Sequence, residues 1–181
     1  MSLLVVLLRG VNVGRHNRIA MADLRALLDG VGCRDVRTYV QSGNAVVTSK
    51  RSPASLETAV AGALAAAGLP ARVMVRTAEE LARVVAQSPW DDLDPKQYQV
   101  AFLSAQPEPA AVEAIDHEAL LPERLVVGER VLYMDHAGRI QNSRLDRVRL
   151  GVEATARNWR SVLALQEMAP AQGSATRPDA R

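Results

Sequence analysis

The order of apolar segments in the first 76 residues limits the fold more than any other feature of this sequence. A continuous apolar run, Leu3–Leu8, precedes a polar loop and a segment with apolar residues at helical spacing. Two β-branched runs follow, at Val36–Val40 and Ala45–Thr48, and a second helical pattern begins near Pro53. It leads to a fourth extended run, Ala71–Arg76. With right-handed crossovers, this order predicts a ferredoxin-like βαββαβ unit.

The second half of the chain repeats this order less clearly. Gln99–Ser104 and the two segments flanking Gly128 have the composition of strands, and Pro109–His117 has that of a short helix. A helical region is expected over about residues 143–168 with an interruption near Gly151, so the last strand of this half is missing or is supplied from elsewhere. The predicted fold class is α+β, with two ferredoxin-like subdomains of which the second is incomplete or rearranged.

Capping and composition signals divide the chain into four regions. Thr77–Glu80 has the pattern of a capping box, and the residues after Pro170 are small, polar or charged. We expect a ferredoxin-like subdomain at 1–76 and a capped helix with a linker at 77–98. A second ferredoxin-like half with C-terminal helices is expected at 99–169, and a disordered tail at 170–181.

Composition excludes several classes of function. The net charge is only +2, too small for general attraction to nucleic acid or to an anionic membrane. Cys33 is the sole cysteine, which excludes an internal disulfide and a cysteine-rich metal site. His16, His117 and His136 are far apart in the sequence, so we expect no metal and no cofactor. The first apolar run is too short to span a membrane, and we expect a cytoplasmic protein.

Two polar turns are expected to meet at one end of the first sheet. In a ferredoxin-like unit the first two strands point the same way, so the loop at residues 9–18 and the hairpin turn at residues 41–44 emerge together. We call these two segments the rim. Their guanidinium, amide and glycine N–H groups suit a phosphate or carboxylate ligand. The candidate ligand-binding residues of the rim are Arg9, Gly10, Asn12, Gly14, Asn17, Gln41, Ser42, Gly43 and Asn44.

A second polar cluster, Arg157 and Asn158, is a candidate for another wall of this site. Thr155 is expected to cap a helix in which Trp159 lies on the apolar stripe and the arginines lie on a different face. The alternative is that Trp159 anchors a core and the arginines are solvated.

Together these segments resemble the signature segments of a bacterial family, domain-of-unknown-function family 1697. The similarity extends from Leu3 to about Met168. It implies a pair of ferredoxin-like subdomains, in agreement with the pattern of segments, and it implies no chemistry because the family has no established activity. Members often carry Gly and Lys where this chain has Arg15 and His16. The matching segments are Arg9–Gly14, Asn17, Met21, Leu24, Thr38–Asn44 and Thr155–Trp159.

The leading hypothesis from the sequence is that the rim binds a small anionic ligand. One alternative is a nucleic-acid-binding module, but the central strands lack the exposed aromatic residues that recognise RNA. Another is a hydrolase or transferase that uses Ser42 and His16, but residues 9–22 contain no acid to orient the imidazole. Whether the protein is an enzyme, which residues would be catalytic, and its oligomeric state stay open.

Overall fold

The computed structural model describes residues 1–13, 17–91, 93–138 and 140–171. Contacts divide the chain into two compact units. The first unit is Met1–Ala86 together with the segment from Ala164 onward, and the second unit is Gln87–Leu163. The four regions expected from the sequence stay a prediction, and most of the expected tail, residues 172–181, lies outside the described residues.

The first unit has the predicted ferredoxin-like arrangement. Its four strands pair antiparallel in the order β2-β3-β1-β4. Its elements are β1 (Ser2–Arg9), α1 (Met21–Gly30), β2 (Arg34–Tyr39), β3 (Asn44–Ser49), α2 (Pro53–Ala66), β4 (Arg72–Thr77) and α3 (Ala78–Ala86).

The strand β1 lies at the centre of the first sheet and is buried on both faces. Leu4, Val6 and Leu8 join the core that α1 and α2 cover, while Val5 and Leu7, also buried, lie on the opposite face. A strand covered on both sides needs apolar residues at every position, which explains its continuous apolar run. Each fully buried side chain of this size stabilises the fold by roughly 1.5–3 kcal/mol.

The second unit has the same sheet order, β6-β7-β5-β8, again fully antiparallel. The fold class is therefore α+β with two four-stranded ferredoxin-like sheets, as the sequence predicted. The elements are β5 (Tyr98–Leu103), α4 (Pro109–Glu113), α5 (His117–Leu120), β6 (Arg124–Gly128), β7 (Val131–Asp135), a 3-10 turn (Arg144–Arg147) and β8 (Ala154–Asn158). The helix α6 (Trp159–Met168) begins in this unit, and its residues from Ala164 onward belong to the first unit.

The predicted helix through residues 155–158 is wrong, and the last strand of the second sheet is present. Ala154–Asn158 forms β8 and pairs with β5, so that Arg157 lies opposite Val100. Thr155 is a buried strand residue and not a helix cap. The rearrangement of this unit lies in the crossover before β8, where the described residues form only a 3-10 turn in place of a long helix.

Two helices of the first unit, α2 and α3, begin at side-chain caps. Ser52 precedes Pro53 and accepts a 3.3 Å hydrogen bond from the Ser55 N–H. The predicted capping box is confirmed: the Thr77 N–H donates to Glu80 Oε2 at 2.7 Å, and the Glu80 N–H donates to Thr77 Oγ1 at 3.1 Å. No helix among the described residues is long and apolar enough to cross a bilayer.

Candidate functional site

The two segments of the rim lie in contact at the end of β1. The Leu8 N–H donates to the Gly43 carbonyl at 2.8 Å, and Asn12 Nδ2 donates to the Gln41 carbonyl at 2.7 Å. The topology that places β1 and β2 in the same direction therefore brings residues from the loop and from the hairpin turn together.

Asn12 holds the loop in shape. Its Nδ2 also donates to the Ile19 carbonyl at 3.0 Å, and its Oδ1 accepts from the Ile19 N–H at 2.9 Å. Its own N–H donates to the Asn17 carbonyl at 2.9 Å. The backbone at Asn12 is left-handed, with φ of 56°, a conformation that Asn tolerates better than most residues. The Asn12 amide therefore has a positioning role, which was not evident from the sequence.

Asn44 has a similar internal role. Its side chain is fully buried, and its Nδ2 donates to Ser42 Oγ at 2.8 Å and to the Tyr39 carbonyl at 3.4 Å. A buried amide that bonds within its own turn fixes the hairpin. Its known bonds therefore go to the turn, whereas Gln41 and Ser42 expose their side chains at the surface of the rim.

Gly43 is the position where the loop and the hairpin approach most closely. Its φ is +74°, and a Cβ built there would lie 2.5 Å from Val11 Cγ2 and 2.7 Å from Leu8 Cβ. Only glycine satisfies both constraints. Gly10 shares the positive φ, at +79°, but a Cβ there would meet nothing within 4 Å.

The remaining candidates in the loop of the rim are Asn17 and Gly14. Asn17 is half-buried, and its Nδ2 lies 3.5 Å from the Pro70 carbonyl, a long hydrogen bond. Gly14 lies outside the described residues, as do Arg15 and His16.

A pair of arginines at the end of the first sheet was not found from the sequence. Arg9 lies directly opposite Arg72 in the β1–β4 ladder, and both side chains are exposed. Among the described residues, no acid forms an ion pair with Arg9. Like charges at directly opposed positions of a sheet repel each other. This end of the sheet is therefore electropositive, and Arg18 in the loop is a further exposed cation.

The helix α1 begins next to Asn12 of the rim and packs on the sheet face opposite to the one that carries Arg9 and Arg72. Its N-cap residue, Ala20, has no side chain that accepts a hydrogen bond, whereas α2 is capped by Ser52. The preceding residue, Ile19, is bonded on both sides by the Asn12 amide. The positive end of the α1 dipole therefore faces the rim, although Asp23 in the first turn offsets part of it.

Arg157 and Asn158 belong to the second unit and have structural roles there. Arg157 is 9% exposed, and its Nη1 donates to Thr155 Oγ1 and to the Ala156 carbonyl, both at 2.8 Å. Burial lowers the pKa of Arg157 to about 10. Asn158 Oδ1 accepts from the Ser161 N–H at 2.8 Å, so Asn158 is the N-cap of α6.

A buried histidine in the second unit was missed because His136 was considered only as a metal ligand. His136 is 2% exposed and lines a cavity of about 330 Å³ together with Glu123. Its Nδ1 lies 2.9 Å from Ser143 Oγ, and its buried Nε2 has no hydrogen-bond partner in the described residues. Burial lowers the pKa of His136, and the described residues contain no cluster of three or more potential metal ligands.

Comparison with known proteins assigns this chain to a family. The sequence model of the family described as "Protein of unknown function (DUF1697)" matches residues 1–133. No curated protein matches the chain. Among solved structures, the conserved bacterial protein SP0830 from Streptococcus pneumoniae is 23% identical, with a TM-score of 0.74 over 93% of this chain and 98% of that chain. At this identity the likeness concerns the fold alone.

Proposed function

Because the chain belongs to the family of proteins of unknown function DUF1697, its membership supplies no activity, and we propose from the site itself that the protein binds a small anion at the rim. The ligand carries a phosphate or a carboxylate. The observation that supports this proposal most directly is the opposition of Arg9 and Arg72 across β1 and β4.

The energetics of this pair favour an anionic ligand. Like charges at opposed positions of a sheet repel each other by a few tenths of a kcal/mol to about 1 kcal/mol. An anion that contacts both guanidinium groups would offset this repulsion and gain charge-assisted hydrogen bonds, each of which contributes roughly 1.5–3 kcal/mol. The planar donor fork of arginine matches both carboxylate and phosphate oxygens.

The described part of the loop is bonded to the hairpin turn without any ligand. Asn12 Nδ2 donates to the Gln41 carbonyl, and Gly43 packs closely against Val11 and Leu8, while the other two bonds of the Asn12 amide go to Ile19. A pre-organised site loses little conformational entropy on binding.

The test compares three variants in thermal-shift titrations with inorganic phosphate, adenosine monophosphate and citrate. The variants are Arg9→Gln, Arg72→Gln and a control, Arg83→Gln, whose side chain is exposed on α3. A ligand that prefers the folded state raises the melting temperature of the wild type. We expect Arg9→Gln and Arg72→Gln to bind the best of these anions about tenfold more weakly, because each loses a charge-assisted contact. Arg83→Gln should bind like the wild type.

The ligand-free melting temperatures make the test sharper. Removal of one charge from an opposed pair should leave the stability of Arg9→Gln equal to or slightly above that of the wild type. The proposal fails if no anion stabilises the wild type, or if Arg9→Gln and Arg83→Gln respond equally. It also fails if Arg9→Gln unfolds at a markedly lower temperature, because the arginine would then be a structural residue.

Neither alternative function has a supporting observation in the described residues. The aromatic side chains on the central strands of the second sheet, Tyr98, Phe102 and Tyr133, are buried and cannot stack on bases. For a hydrolase or transferase, the candidate base His16 lies outside the described residues, and Ser42 Oγ accepts a hydrogen bond from Asn44.

A further inference from the structure

The second unit contains a cavity of about 340 Å³ that is separate from the rim. Its walls come from α4 and α5, on the crossover after β5, and from the residues around the 3-10 turn before β8. Small-molecule sites in proteins span roughly 300–1,000 Å³, so this cavity is large enough for a compact organic ligand.

The inner wall of the cavity is apolar. Leu120 is buried in the core of the second unit, and the partly buried Ile115 and Val148 pack against the same core. Ala114 and Ala119 line the opening, where their small side chains leave the space unfilled. A ligand with an apolar body would bury hydrocarbon surface here at roughly 25 cal/mol per Å².

The mouth of the cavity is cationic. Arg144, Arg147 and Arg149 line it, against one acid, Asp116. The Asp116 carboxylate is occupied as a helix cap, since its Oδ1 accepts from the Ala119 N–H at 3.0 Å. The Asp116 carboxylate therefore already accepts a hydrogen bond from its own helix.

The three arginines differ in how many hydrogen bonds their guanidinium groups donate within the protein. Arg144 Nη1 donates to the backbone carbonyls of Leu121 and Ala119. Arg149 Nη1 donates to the Asp146 carbonyl at 2.6 Å and the Val148 carbonyl at 3.1 Å. In the part of the chain that the structure describes, the Arg147 side chain makes no hydrogen bond and no ion pair. Among the described residues, the guanidinium group of Arg147 therefore has all its N–H donors available for a ligand at the edge of the cavity.

We propose that this cavity binds an organic carboxylate, with its apolar body against Ile115, Leu120 and Val148 and its carboxylate on Arg147. A single uncommitted fork matches the two oxygens of a carboxylate, and the apolar wall beside it favours a ligand whose remaining surface is hydrocarbon. The two committed arginines add positive potential at the mouth without further rearrangement. This site is independent of the rim, because it uses other residues and also requires an apolar ligand body.

Three probes separate the parts of this proposal. Octanoate has both a carboxylate and an apolar chain, 1-octanol has the chain alone, and acetate has the carboxylate alone. Isothermal titration calorimetry on the full chain should show binding of octanoate at least tenfold tighter than that of either other probe. With octanoate, amide chemical shifts should move around residues 111–120 and 144–149.

Substitutions locate the binding on this cavity. Arg147→Gln should weaken octanoate binding about tenfold or more, through loss of a charge-assisted pair. Ala114→Trp should abolish it by filling the space, and because Ala114 is exposed the fold should tolerate the change. A matched control, Arg160→Gln on the exposed face of α6, should bind octanoate like the wild type.

Each of the following results would overturn the proposal. Octanoate does not bind at millimolar concentration, or it binds no more tightly than 1-octanol. Arg147→Gln binds like Arg160→Gln, or Ala114→Trp retains full affinity while folded. Loss of octanoate binding in Arg9→Gln would move the ligand to the rim and would likewise reject the cavity. A failure of anion binding at the rim leaves these measurements unaffected.

Discussion

At the scale of single residues, left-handed backbone dihedrals determine which substitutions the rim tolerates, and one buried imidazole determines how stability depends on pH. Gly10, Asn12 and Gly43 all have positive φ, and all lie where the rim turns. The surroundings of these three residues differ. Gly10 faces open space, Asn12 bonds to the backbone, and Gly43 faces the side chains of Leu8 and Val11.

The two glycines separate dihedral strain from steric contact. Gly10→Ala should cost about 1–2 kcal/mol, because only the left-handed dihedral is unfavourable for alanine. Gly43→Ala carries the same strain and also places a Cβ 2.5 Å from Val11 Cγ2, which adds roughly 1–3 kcal/mol of overpacking. Urea denaturation followed by circular dichroism measures both losses. Equal losses would mean that Val11 moves aside without cost.

His136 makes the stability of the protein depend on pH below neutrality. Burial lowers its pKa below the ordinary 6.5, although the nearby carboxylates of Glu123, Asp146 and Asp135 oppose the shift. The unfolded chain then binds the proton more readily than the folded chain. The stability that the neutral imidazole contributes is present above pH 6.5, and it is lost as the pH falls from 6.5 toward the lower pKa of the folded state.

We therefore expect the urea midpoint of the wild type to fall between pH 7.5 and pH 5.5. In His136→Gln, which cannot take up the proton, this fall should be smaller, even though the variant is less stable at pH 7.5. His117→Gln, at an exposed position, serves as the control and should keep the pH dependence of the wild type. Identical profiles for all three proteins would exclude His136 as the origin.

At the scale of secondary-structure elements, local signals predicted most of the fold. Continuous apolar or β-branched runs predicted β1, β2 and β3, Pro53 predicted the start of α2, and the capping box predicted the start of α3, because each signal acts on its own backbone. The exception is β8. Its only β-branched residue is Thr155, and its inward positions, Thr155 and Arg157, are both polar. A pattern of apolar and polar residues does not distinguish a buried arginine from an exposed one. It therefore predicts a helix here in place of the strand.

A substitution at Asn158 distinguishes the observed element from the predicted one. As the N-cap of α6, Asn158 accepts from the Ser161 N–H, and Asn158→Ala should cost about 1 kcal/mol. Inside a helix, the same substitution would instead stabilise by a few tenths of a kcal/mol, since alanine is the better helix former. Thermal or urea denaturation gives the sign. Asn158→Asp retains the accepting oxygen and should stay near wild-type stability.

The candidate site could be predicted only in part. The meeting of the loop with the hairpin turn followed from strand direction alone, which the order of segments determines. The opposition of Arg9 and Arg72 depends on the register between β1 and β4, and a shift of one residue would move Arg72 to the other face. The cavity in the second unit depends on where short helices pack. Neither of these features has a local sequence signal.

At the scale of the whole molecule, the two units repeat one plan that extends beyond the sheet. The first unit ends with Arg76, the cap Thr77 and helix α3, while the second has Arg157, the cap Asn158 and helix α6. Arg76 lies opposite Val5 in its sheet, as Arg157 lies opposite Val100. Both arginines are buried, and both donate from Nη1 to the carbonyl of the preceding residue.

This plan predicts the outcome of shortening the chain. A protein that consists of residues 1–153 lacks β8 and α6, so β5 has an unpaired edge. We expect amide exchange to show no protected second sheet, and sedimentation to show self-association. A protein of residues 1–171 is the control and should keep the wild-type melting temperature, because residues 172–181 contain no large apolar side chain. A monomeric, fully protected 1–153 protein would contradict the assignment of β8.

The position of β8 has a practical consequence for anyone who works on relatives of this protein. The sequence model of the family matches residues 1–133, but the second sheet closes only with Ala154–Asn158. A gene fragment cut at the end of that match would therefore lack β8 and leave β5 with an unpaired edge. Inclusion bodies from such a fragment would report a missing strand, and not an inherently insoluble protein.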